Sequence, residues 1–424
     1  MKITLWGINY RPEATGIAPY NAELAEYLAG HEHEVSVVTG FPYYPHWRKD
    51  PADRGRLYRH EKINGVDVYR CAQYVPQTAT TLRRIFHELS FGLMSLLKVL
   101  FLPRADLYVV VSPPLCLGFF AWIATRLKRS RYVFHVQDLQ PGAAVGLGMI
   151  DGRGFIRLLY SLESFAYRHA VAVSGISDGM MAEFRRKGLP ARKLIYFPNW
   201  LRTSGSPAGP RERGAFREKF GLPADDLLAV YSGNLGRKQG IEILLEAARR
   251  LDASAGVTIA IIGAGAQREA LAAQVDALKL PNLRLLPLLS DDDYAQMLTE
   301  ADIGLITQAS GTGRYFFPSK LLSLLQAGVP VATVADDNSE LARAVSEGRF
   351  GVNVRPGEAA ELADVLRRLA NDPAWRADLR EKTRWVQRFA PAAVLPRFAA
   401  QLERIADVSP VAGEMLHQHE LSRP

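Results

Sequence analysis

Short β-branched segments alternate with amphipathic segments along most of the chain, and this alternation limits the fold more than any other feature. A strand pattern followed by a helix pattern and a further strand pattern is typical of βαβ units, whose strands form a parallel sheet. The sequence therefore predicts an α/β fold. In the first half of the chain the strand-like segments are "KITLWGI", "EVSVVTG", "DLYVVVS", "YVFHVQD" and "VAVSGIS".

A segment rich in Gly, Pro and Ser interrupts the alternation at residues 203–213, "TSGSPAGPRER", and indicates a linker. The alternation then restarts, and a chain of 424 residues exceeds what one hydrophobic core usually serves. We predict two doubly wound Rossmann-like domains, at residues 1–205 and 206–385, that face a central cleft. We expect a C-terminal helix at 386–408 to pack back on the first domain, followed by a loosely held tail at 409–424.

The chain carries a formal net charge of +8 and has a pI near 9.4, which favours an acidic partner. Phosphorylated small molecules, an anionic membrane surface and nucleic acid all satisfy this condition, and charge alone does not choose among them. Cys71 and Cys116 are far apart and lack metal-ligand spacing, so they indicate neither a disulfide framework nor a zinc site. They fit a reducing compartment, and the N-terminal residues read as a first strand rather than a secretory signal.

Two apolar segments raise the question of membrane contact. Residues 107–127 are about long enough to span a bilayer, but Pro113 and Pro114 divide them, so we predict a strand followed by a buried helix. Residues 82–104 are too short to span, and they form either a core helix or a helix that lies in a membrane interface. We favour partial membrane contact because basic and aromatic side chains occur together there: Arg83, Arg84, Lys98 and Arg104 with Phe86, Phe91 and Phe101.

The segment "YSGNLGRKQG" has the strongest chemical signal. A predicted strand ends at Tyr231, and Gly233 and Asn234 begin a tight turn that carries Arg237 and Lys238. Backbone amides beside two cations suit a diphosphate, because Lys supplies a mobile point charge and Arg a fork of donors. The alternative is an ordinary strand-to-helix turn with two solvated basic residues.

A second Gly-rich loop, "SGTGRYFFPSKLLSLLQAGVPV", leads into an apolar helix. Gly311 and Gly313 precede Pro318, and proline is favoured in the first turn of a helix. A helix N-terminus offers unpaired N–H groups and partial positive charge, which suit phosphate. The segment holds no carboxylate that could bind ribose hydroxyl groups.

Other glycines carry weaker signals. "IIGAGAQREAL" lacks a dinucleotide-binding fingerprint because Arg268 stands where the third glycine is needed, so we expect Gly263 and Gly265 to shape a turn near a ligand. Gly16 lies in the loop after the first strand, where it either lets a ligand approach the backbone or simply makes a turn.

In "FHVQDLQP", His135 and Asp138 lie near the end of a predicted strand, where functional groups collect in such sheets. His135 alternates with Val133, and we interpret it as a core histidine. Asp138 either takes part in function or caps a turn.

In this order and spacing the segments resemble the family 4 glycosyltransferases of the two-domain GT-B fold. The resemblance covers most of the chain, and "FPYYP", "PNW" and the P-S-K-L helix start are similar to the enzymes of colanic-acid and related exopolysaccharide assembly. The segments that carry it are "GINYRPEATG", "EVSVVTG", "QDLQP", "VSGISDGM", "FPNW", "SGNLGRKQG", "GAGAQREAL", "ADIGLI" and "PSKLLSLLQAGVPV".

The resemblance implies a hexosyltransferase-type enzyme that transfers a sugar from a nucleotide diphosphate donor with retention of configuration and without an obligatory metal or other cofactor. The acceptor would be a polyprenyl-linked glycan, bound on the side of the first domain, at the cytoplasmic face of the cytoplasmic membrane. The donor would bind the second domain, and no nucleic acid partner is expected. By resemblance the catalytic residues are Asp138 and Lys238, and the donor-binding residues are Gly16, Gly233, Asn234, Arg237, Lys238, Gly313, Tyr315, Ser319, Lys320 and Ser323.

The chain departs from the family pattern at several positions, one of which is Gln239, inserted between Lys238 and the usual glycine. Two glutamates are common in the family eight positions apart, and here Tyr315 and Ser323 replace them. Gln137 stands at the position of a family histidine, before the retained Asp138. The missing carboxylates leave open a non-catalytic GT-B-like subunit of a polysaccharide assembly complex. A nicotinamide-dependent oxidoreductase is disfavoured, because no complete G-x-G-x-x-G follows a predicted strand.

Overall fold

The computed structural model describes residues 1–14, 16–44, 46–77, 80–139, 152–201, 214–313 and 320–407. The chain divides into two compact units. Unit 1 comprises Met1–Asn199 with the C-terminal segment from Ala392, and unit 2 comprises Trp200–Pro391. The whole predicted linker at 203–213 and the whole predicted tail at 409–424 lie outside the described residues.

Unit 1 contains a mostly parallel sheet with strand order β3-β4-β2-β1-β5-β6-β7-β8, in which only the β3–β4 pair among the described strands is antiparallel. Its elements are β1 Lys2–Trp6, α1 Ala18–Ala29, β2 Glu34–Gly40, β3 Tyr58–Ile63, β4 Val66–Cys71, α2 Thr81–Phe101, β5 Leu107–Ser112, α3 Leu117–Lys128, β6 Arg131–Val136, α4 Arg153–His169, β7 Ala172–Gly175, α5 Asp178–Arg186 and β8 Leu194–Tyr196. Every residue of β5 is buried, as expected of a central strand covered on both faces.

Residues 107–127 form strand β5 and helix α3, which confirms the prediction of a strand followed by a helix. Within the described ranges, none of the helices is both long enough and apolar enough to cross a membrane. The apolar character of residues 107–127 instead reflects burial of the whole of β5 and of one face of α3.

Unit 2 contains a parallel sheet with strand order β11-β10-β9-β12-β13-β14. Its elements are α6 Ala215–Lys219, β9 Leu227–Ser232, α7 Glu242–Arg250, β10 Val257–Ile262, α8 Arg268–Leu278, β11 Leu283–Leu286, α9 Asp291–Glu300, β12 Ile303–Thr307, α10 Lys320–Gln326, β13 Val331–Val334, α11 Glu340–Gly348, β14 Gly351–Val354, α12 Ala359–Asn371 and α13 Pro373–Lys382, with a 3-10 helix at Thr383–Phe389.

Two apolar clusters cover the two faces of the unit 2 sheet. Leu228 and Val230 of β9 belong to one cluster, whereas Leu227, Ala229 and Tyr231 belong to the other. Successive side chains of a strand point to opposite faces, so this division places helices on both sides of the sheet. The two parallel-sheet, Rossmann-like units confirm the predicted fold class.

The last described helix, α14 (Pro391–Asp407), packs on unit 1. The ring of Phe398 stacks on that of Phe197 with centroids 3.6 Å apart. A guanidinium nitrogen of Arg131, at the start of β6, donates a 2.8 Å hydrogen bond to the carbonyl oxygen of Ala406. The helix therefore contacts the first unit through both an aromatic and a polar interaction.

Candidate functional site

The turn that follows β9 carries the predicted diphosphate residues. It begins at Gly233, whose φ is +154°, and it passes through a 3-10 helix at Arg237–Gln239 to Gly240, whose φ is +58°. The hydroxyl group of Tyr231 donates a 2.9 Å hydrogen bond to the carbonyl oxygen of Asn234 and so holds the turn against the end of its strand. The Arg237 side chain is exposed, and that of Lys238 is half-buried.

The turn after β10 packs backbone to backbone against the turn after β9. A Cβ atom on Gly263 would lie 1.9 Å from the carbonyl oxygen of Gly233, and one on Gly265 would lie 2.3 Å from that of Leu235. The amide of Gly233 donates to the carbonyl of Ile262 at 3.0 Å, and the amide of Leu235 donates to that of Ala264 at 2.9 Å. Gly263 and Gly265 therefore shape a turn, as predicted, because no side chain fits between the two backbones.

Arg268 occupies the position where a dinucleotide fingerprint would need its third glycine. Its guanidinium donates to the carbonyl oxygen of Gly263 at 2.7 Å and to that of Leu286 at 2.9 Å. It thus links the ends of β10 and β11 in a place that a dinucleotide site keeps free of side chains. This contact agrees with the sequence argument against a nicotinamide-binding domain.

Hydrogen bonds hold the loop after β12 both to the turn after β9 and to the segment after β13. The amide of Ala309 donates to the carbonyl oxygen of Lys238 at 2.9 Å. The carboxylate of Asp336, just after β13, accepts from the hydroxyl of Ser310 at 3.0 Å and from the amide of Gly311 at 2.7 Å. The loops that follow β9, β12 and β13 are therefore joined at the carboxyl edge of the sheet, where ligands bind in folds of this class.

Lys320, in α10, reaches the end of β9. Its Nζ lies 3.9 Å from the centroid of the Tyr231 ring and would lie 3.1 Å from a Cβ atom on Gly233. The ammonium nitrogen is buried and has no hydrogen-bond partner in the described part of the chain. Burial lowers the pKa of Lys320 to about 7.

The structure brings most of the predicted donor-binding residues to this edge of unit 2. Ser323 lies about one turn further along α10, where its hydroxyl hydrogen-bonds with that of Tyr294. Tyr315 and Ser319 lie outside the described residues. The predicted residues at the edge are Gly233, Asn234, Arg237, Lys238, Gly313 and Lys320.

In unit 1 a buried carboxylate that sequence reasoning missed holds the loop that contains Gly16. The carboxylate of Glu13 accepts from the amides of Tyr43 and Tyr44 at 3.0 and 2.9 Å and from the side chain of Asn9 at 2.9 Å. Burial raises the pKa of Glu13, and these hydrogen bonds partly oppose the rise. Gly16 itself has a φ of +65°, which explains a glycine there. The only sequence signal for this buried carboxylate was that Glu13 is a lone acidic residue in the loop.

His135 belongs to a buried polar chain at the carboxyl ends of β6 and β7. Its Nδ1 lies 2.8 Å from the hydroxyl of Ser174, and its Nε2 lies 2.8 Å from the amide nitrogen of Gln137, which also donates to Asn199 at 3.0 Å. Burial lowers the pKa of His135 to about 3, so the ring is neutral. This confirms the interpretation as a core histidine. Asp138, the next residue after Gln137 in the sequence, is half-buried and belongs to unit 1, whereas Lys238 belongs to unit 2.

Helix α2 exposes large apolar side chains along one face, which we call the apolar stripe. The exposed fraction is 80% for Leu82 and 86% for Phe101, at the two ends of the stripe. Spacings of three and four residues place these side chains in one row. The stripe consists of Leu82, Phe86, Leu89, Leu93, Leu97 and Phe101, with exposed Arg83, Arg84 and Arg104 nearby.

Two domain families match the two halves of the chain in the order that this fold requires. Residues 15–200 match the glycosyl transferase 4-like domain, and residues 212–385 match the glycosyl transferases group 1 domain. Together with the two Rossmann-like sheets and the cationic glycine turn after β9, these matches define the class. The chain belongs to the group 1 glycosyltransferases of GT-B fold and is a nucleotide-sugar-dependent glycosyltransferase.

Within this class the chain is similar to an Escherichia coli K12 protein assigned to colanic acid biosynthesis as the glycosyl transferase WcaI. The two are 34% identical over 347 residues, which are 80% of this chain and 85% of the relative. The fold is similar to that of sucrose-phosphate synthase from Thermosynechococcus elongatus, with a TM-score of 0.73, 19% identity and coverage of 96% and 100% of the two chains. It is also similar to Anabaena HepE in complex with UDP-glucose, with a TM-score of 0.68, 18% identity and coverage of 95% and 100%.

Proposed function

We propose that this glycosyltransferase moves a sugar from a nucleotide diphosphate donor onto a polyprenyl-linked glycan during assembly of an exopolysaccharide of the colanic-acid type. The observation that carries the proposal is the glycine turn after β9, which presents Arg237 and Lys238 at the carboxyl edge of the unit 2 sheet. Backbone amides and cations in this arrangement suit a diphosphate. The assignment of the relative WcaI to colanic acid biosynthesis supports the choice of pathway class.

The proposed reaction retains the anomeric configuration and needs no obligatory metal ion. The bond between the anomeric carbon and the donor phosphate oxygen breaks, and the acceptor hydroxyl oxygen bonds to that carbon on the same face. The hydroxyl proton passes to the departing phosphate, so no separate strong base is required. Lys238 and Arg237 stabilise the negative charge that develops on the leaving diphosphate, and Asp138 orients the acceptor or the donor sugar.

We further propose that the protein works in the cytoplasm, peripheral to the inner face of the cytoplasmic membrane, where a polyprenyl-linked acceptor is held. The apolar stripe on α2 supports this location. Isolated exposed apolar residues are normal, but a contiguous row of six beside basic side chains suits a surface with an apolar interior and anionic headgroups.

The donor site is tested first by thermal denaturation with UDP, GDP, TDP and their sugar conjugates. A ligand that binds only the folded state raises the melting temperature by mass action. We expect one nucleotide diphosphate to raise it, and we expect the increase to disappear in Lys238→Ala but to persist in Lys62→Ala, an exposed lysine on the edge strand β3. The anomeric configuration of the product is then read by NMR with the donor so identified.

Two results would contradict the proposal. If folded protein binds none of these nucleotides, the assignment of a donor site to the β9 turn is wrong. If a donor binds but the product has inverted configuration, the proposed route for the acceptor proton is wrong, because inversion requires a base on the opposite face of the sugar.

A further inference from the structure

Lys320 is a buried lysine to which the proposed mechanism assigns no step. Its Nζ packs 3.9 Å from the ring centroid of Tyr231 and has no hydrogen-bond partner within the described ranges. An ammonium group that loses its water without gaining partners is costly, and a single cation–π contact offsets only part of that cost. A lysine kept in this state indicates that its partner does not come from the described part of the chain.

The elements around Lys320 supply no anion for it. The segments of β9, β12, β13 and α10, and the 3-10 helix at 383–389, contain neither Asp nor Glu. Their titratable groups are the phenol of Tyr231, whose pKa burial raises, and the cations Arg384 and Arg388. The β9 turn adds Arg237 and Lys238, and α9 adds the phenol of Tyr294. Of the α9 carboxylates, Asp293 pairs with Lys219 and Glu300 accepts from the amides of Phe216 and Arg217. The carboxylate of Asp336 is held by Ser310 and Gly311.

The position of Lys320 relative to Gly233 suggests the missing partner. A Cβ atom on Gly233 would lie only 3.1 Å from Nζ, so the absence of a side chain there leaves the ammonium next to the turn that carries Arg237 and Lys238. The four-carbon stem of a lysine can swing its nitrogen toward a ligand, whereas Tyr231 and Gly233 are held by the strand and by the turn after β10. An anion that binds this turn therefore comes within reach of Nζ.

We propose that Lys320 is a phosphate-binding residue of the donor site, and that its amine takes up one proton from solvent when a nucleotide diphosphate binds beside Gly233. The proposal rests on the proposed function, because it needs the donor to bind the β9 turn. The ammonium then pairs with a phosphate oxygen of the donor. In this chain the charge of Lys320 acts on the phosphates, a role distinct from the ribose contacts that carboxylates at positions 315 and 323 would make.

Isothermal titration calorimetry tests this directly. UDP and GDP are titrated into the full-length protein near pH 8 in two buffers of different ionisation enthalpy, and the difference in apparent enthalpy reports the protons taken up. We expect uptake that approaches one proton near pH 8, because burial lowers the pKa of Lys320 to about 7 in the free protein and the terminal phosphate of the nucleotide is already ionised at this pH.

Lys320→Met keeps the apolar stem and removes the charge. We expect it to weaken binding of the nucleotide diphosphate about 10- to 100-fold, the range for loss of a charged hydrogen bond, and to abolish the proton uptake. Affinity for the corresponding nucleoside, uridine or guanosine, should not change. Lys320→Arg stays charged at this pH, so it should bind the diphosphate without taking up a proton. It also serves as the informative variant if Lys320→Met does not fold.

The possible results separate this inference from the proposed function. If the wild-type protein binds neither UDP nor GDP, the donor site itself is wrong. If the wild type binds one of them, and Lys320→Met binds it equally well with the same proton uptake, Lys320 is a structural residue and this inference alone is overturned. Equal weakening of nucleoside and diphosphate binding in Lys320→Met would also overturn it, because that result shows a general disturbance of the site.

Discussion

The backbone amide of Ala309 donates a 2.9 Å hydrogen bond to the carbonyl oxygen of Lys238. This single bond connects the loop after β12 to the turn that carries the proposed diphosphate residues. Two segments that are far apart in the sequence are therefore held together by their main chains. The position of Lys238 depends on an atom that no motif at either segment specifies.

We predict that Ala309→Pro weakens donor binding. Proline removes the amide hydrogen, so the hydrogen bond to the carbonyl of Lys238 is lost at a cost of about 1 kcal/mol. We expect KM for the donor to rise several-fold, measured by steady-state transfer assays with the donor found by thermal denaturation. Ala309→Gly keeps the amide and is the matched control. Equal effects of the two substitutions would show that the hydrogen bond does not position Lys238.

Gly263→Ala should destabilise unit 2 far more than its backbone angle alone requires. Its φ of +147° is unfavourable for alanine, and the new Cβ atom would lie 1.9 Å from the carbonyl oxygen of Gly233. Gly256→Ala is the control, because Gly256 has a φ of +60° and a Cβ atom added there would meet nothing within 4 Å beyond its chain neighbours. We expect Gly263→Ala to lower the free energy of unfolding by about 3 kcal/mol more than the control, as measured by urea denaturation. A difference near zero would mean that the two turns separate easily.

Glu13 should make stability depend on pH in the direction of a buried acid. Burial raises the pKa of Glu13 above its unfolded value of about 4.5, so the folded state holds the proton more tightly than the unfolded state. The favourable contribution is complete below the unfolded pKa and is lost as the pH rises through the higher folded pKa. We therefore expect the free energy of unfolding of the wild type, relative to Glu13→Gln, to increase as the pH falls from 7 to 4.5.

Urea denaturation of both proteins at several pH values measures this difference. Glutamine can still accept from the amides of Tyr43 and Tyr44 but loses the hydrogen bond from Asn9, which adds a difference that does not depend on pH. The change of the difference with pH therefore reports the ionisation of Glu13. Glu13→Ala should destabilise at every pH, because it leaves two amides without their acceptor. A pH-independent difference between the wild type and Glu13→Gln would contradict the prediction.

Polar substitution in the apolar stripe should weaken binding to anionic vesicles. We expect Phe86→Ser with Leu93→Ser to reduce the fraction that sediments with phosphatidylglycerol vesicles about tenfold or more, because each substitution removes an apolar side chain worth about 1.5–3 kcal/mol on burial. Leu288→Ser, at a side chain that is 72% exposed in unit 2, is the control. Sedimentation of the wild type with neutral and anionic vesicles to the same extent would indicate that the basic residues beside the stripe play no part.

The central strands of both sheets were predictable because they are apolar throughout. Strand β5 is buried at all six positions, and its sequence "LYVVVS" is typical of a buried central strand in an α/β fold. Strand β3 was missed, because "YRHEKI" is an edge strand whose residues alternate between exposed and half-buried and carry charge on both faces. Strand β8, with three residues, is too short for any periodic signal.

The candidate site was predictable only where the residues that indicate its chemistry lie close together in one segment of the sequence. The turn at "SGNLGRKQG" joins glycines and cations within a few residues, and its place at the end of a strand followed from the alternation of elements. The burial of Lys320 could not be predicted in this way, because Tyr231 and Gly233 reach it from a distant part of the chain. The function of Arg268 was equally hidden, since its two acceptors are the carbonyl ends of two different strands.

The contact between the turns after β9 and β10 has a consequence for protein engineering. Main-chain atoms of Gly233, Leu235, Gly263 and Gly265 determine the shape of the β9 turn, whereas the side chains of Asn234 and Arg237 are exposed on it. A side-chain library at Asn234 can therefore vary what the turn presents to a donor without replacing the residues whose main chain shapes the turn. A search for new donor preferences should randomise Asn234, keep Arg237 because it is assigned to the diphosphate, and leave all four main-chain positions unaltered.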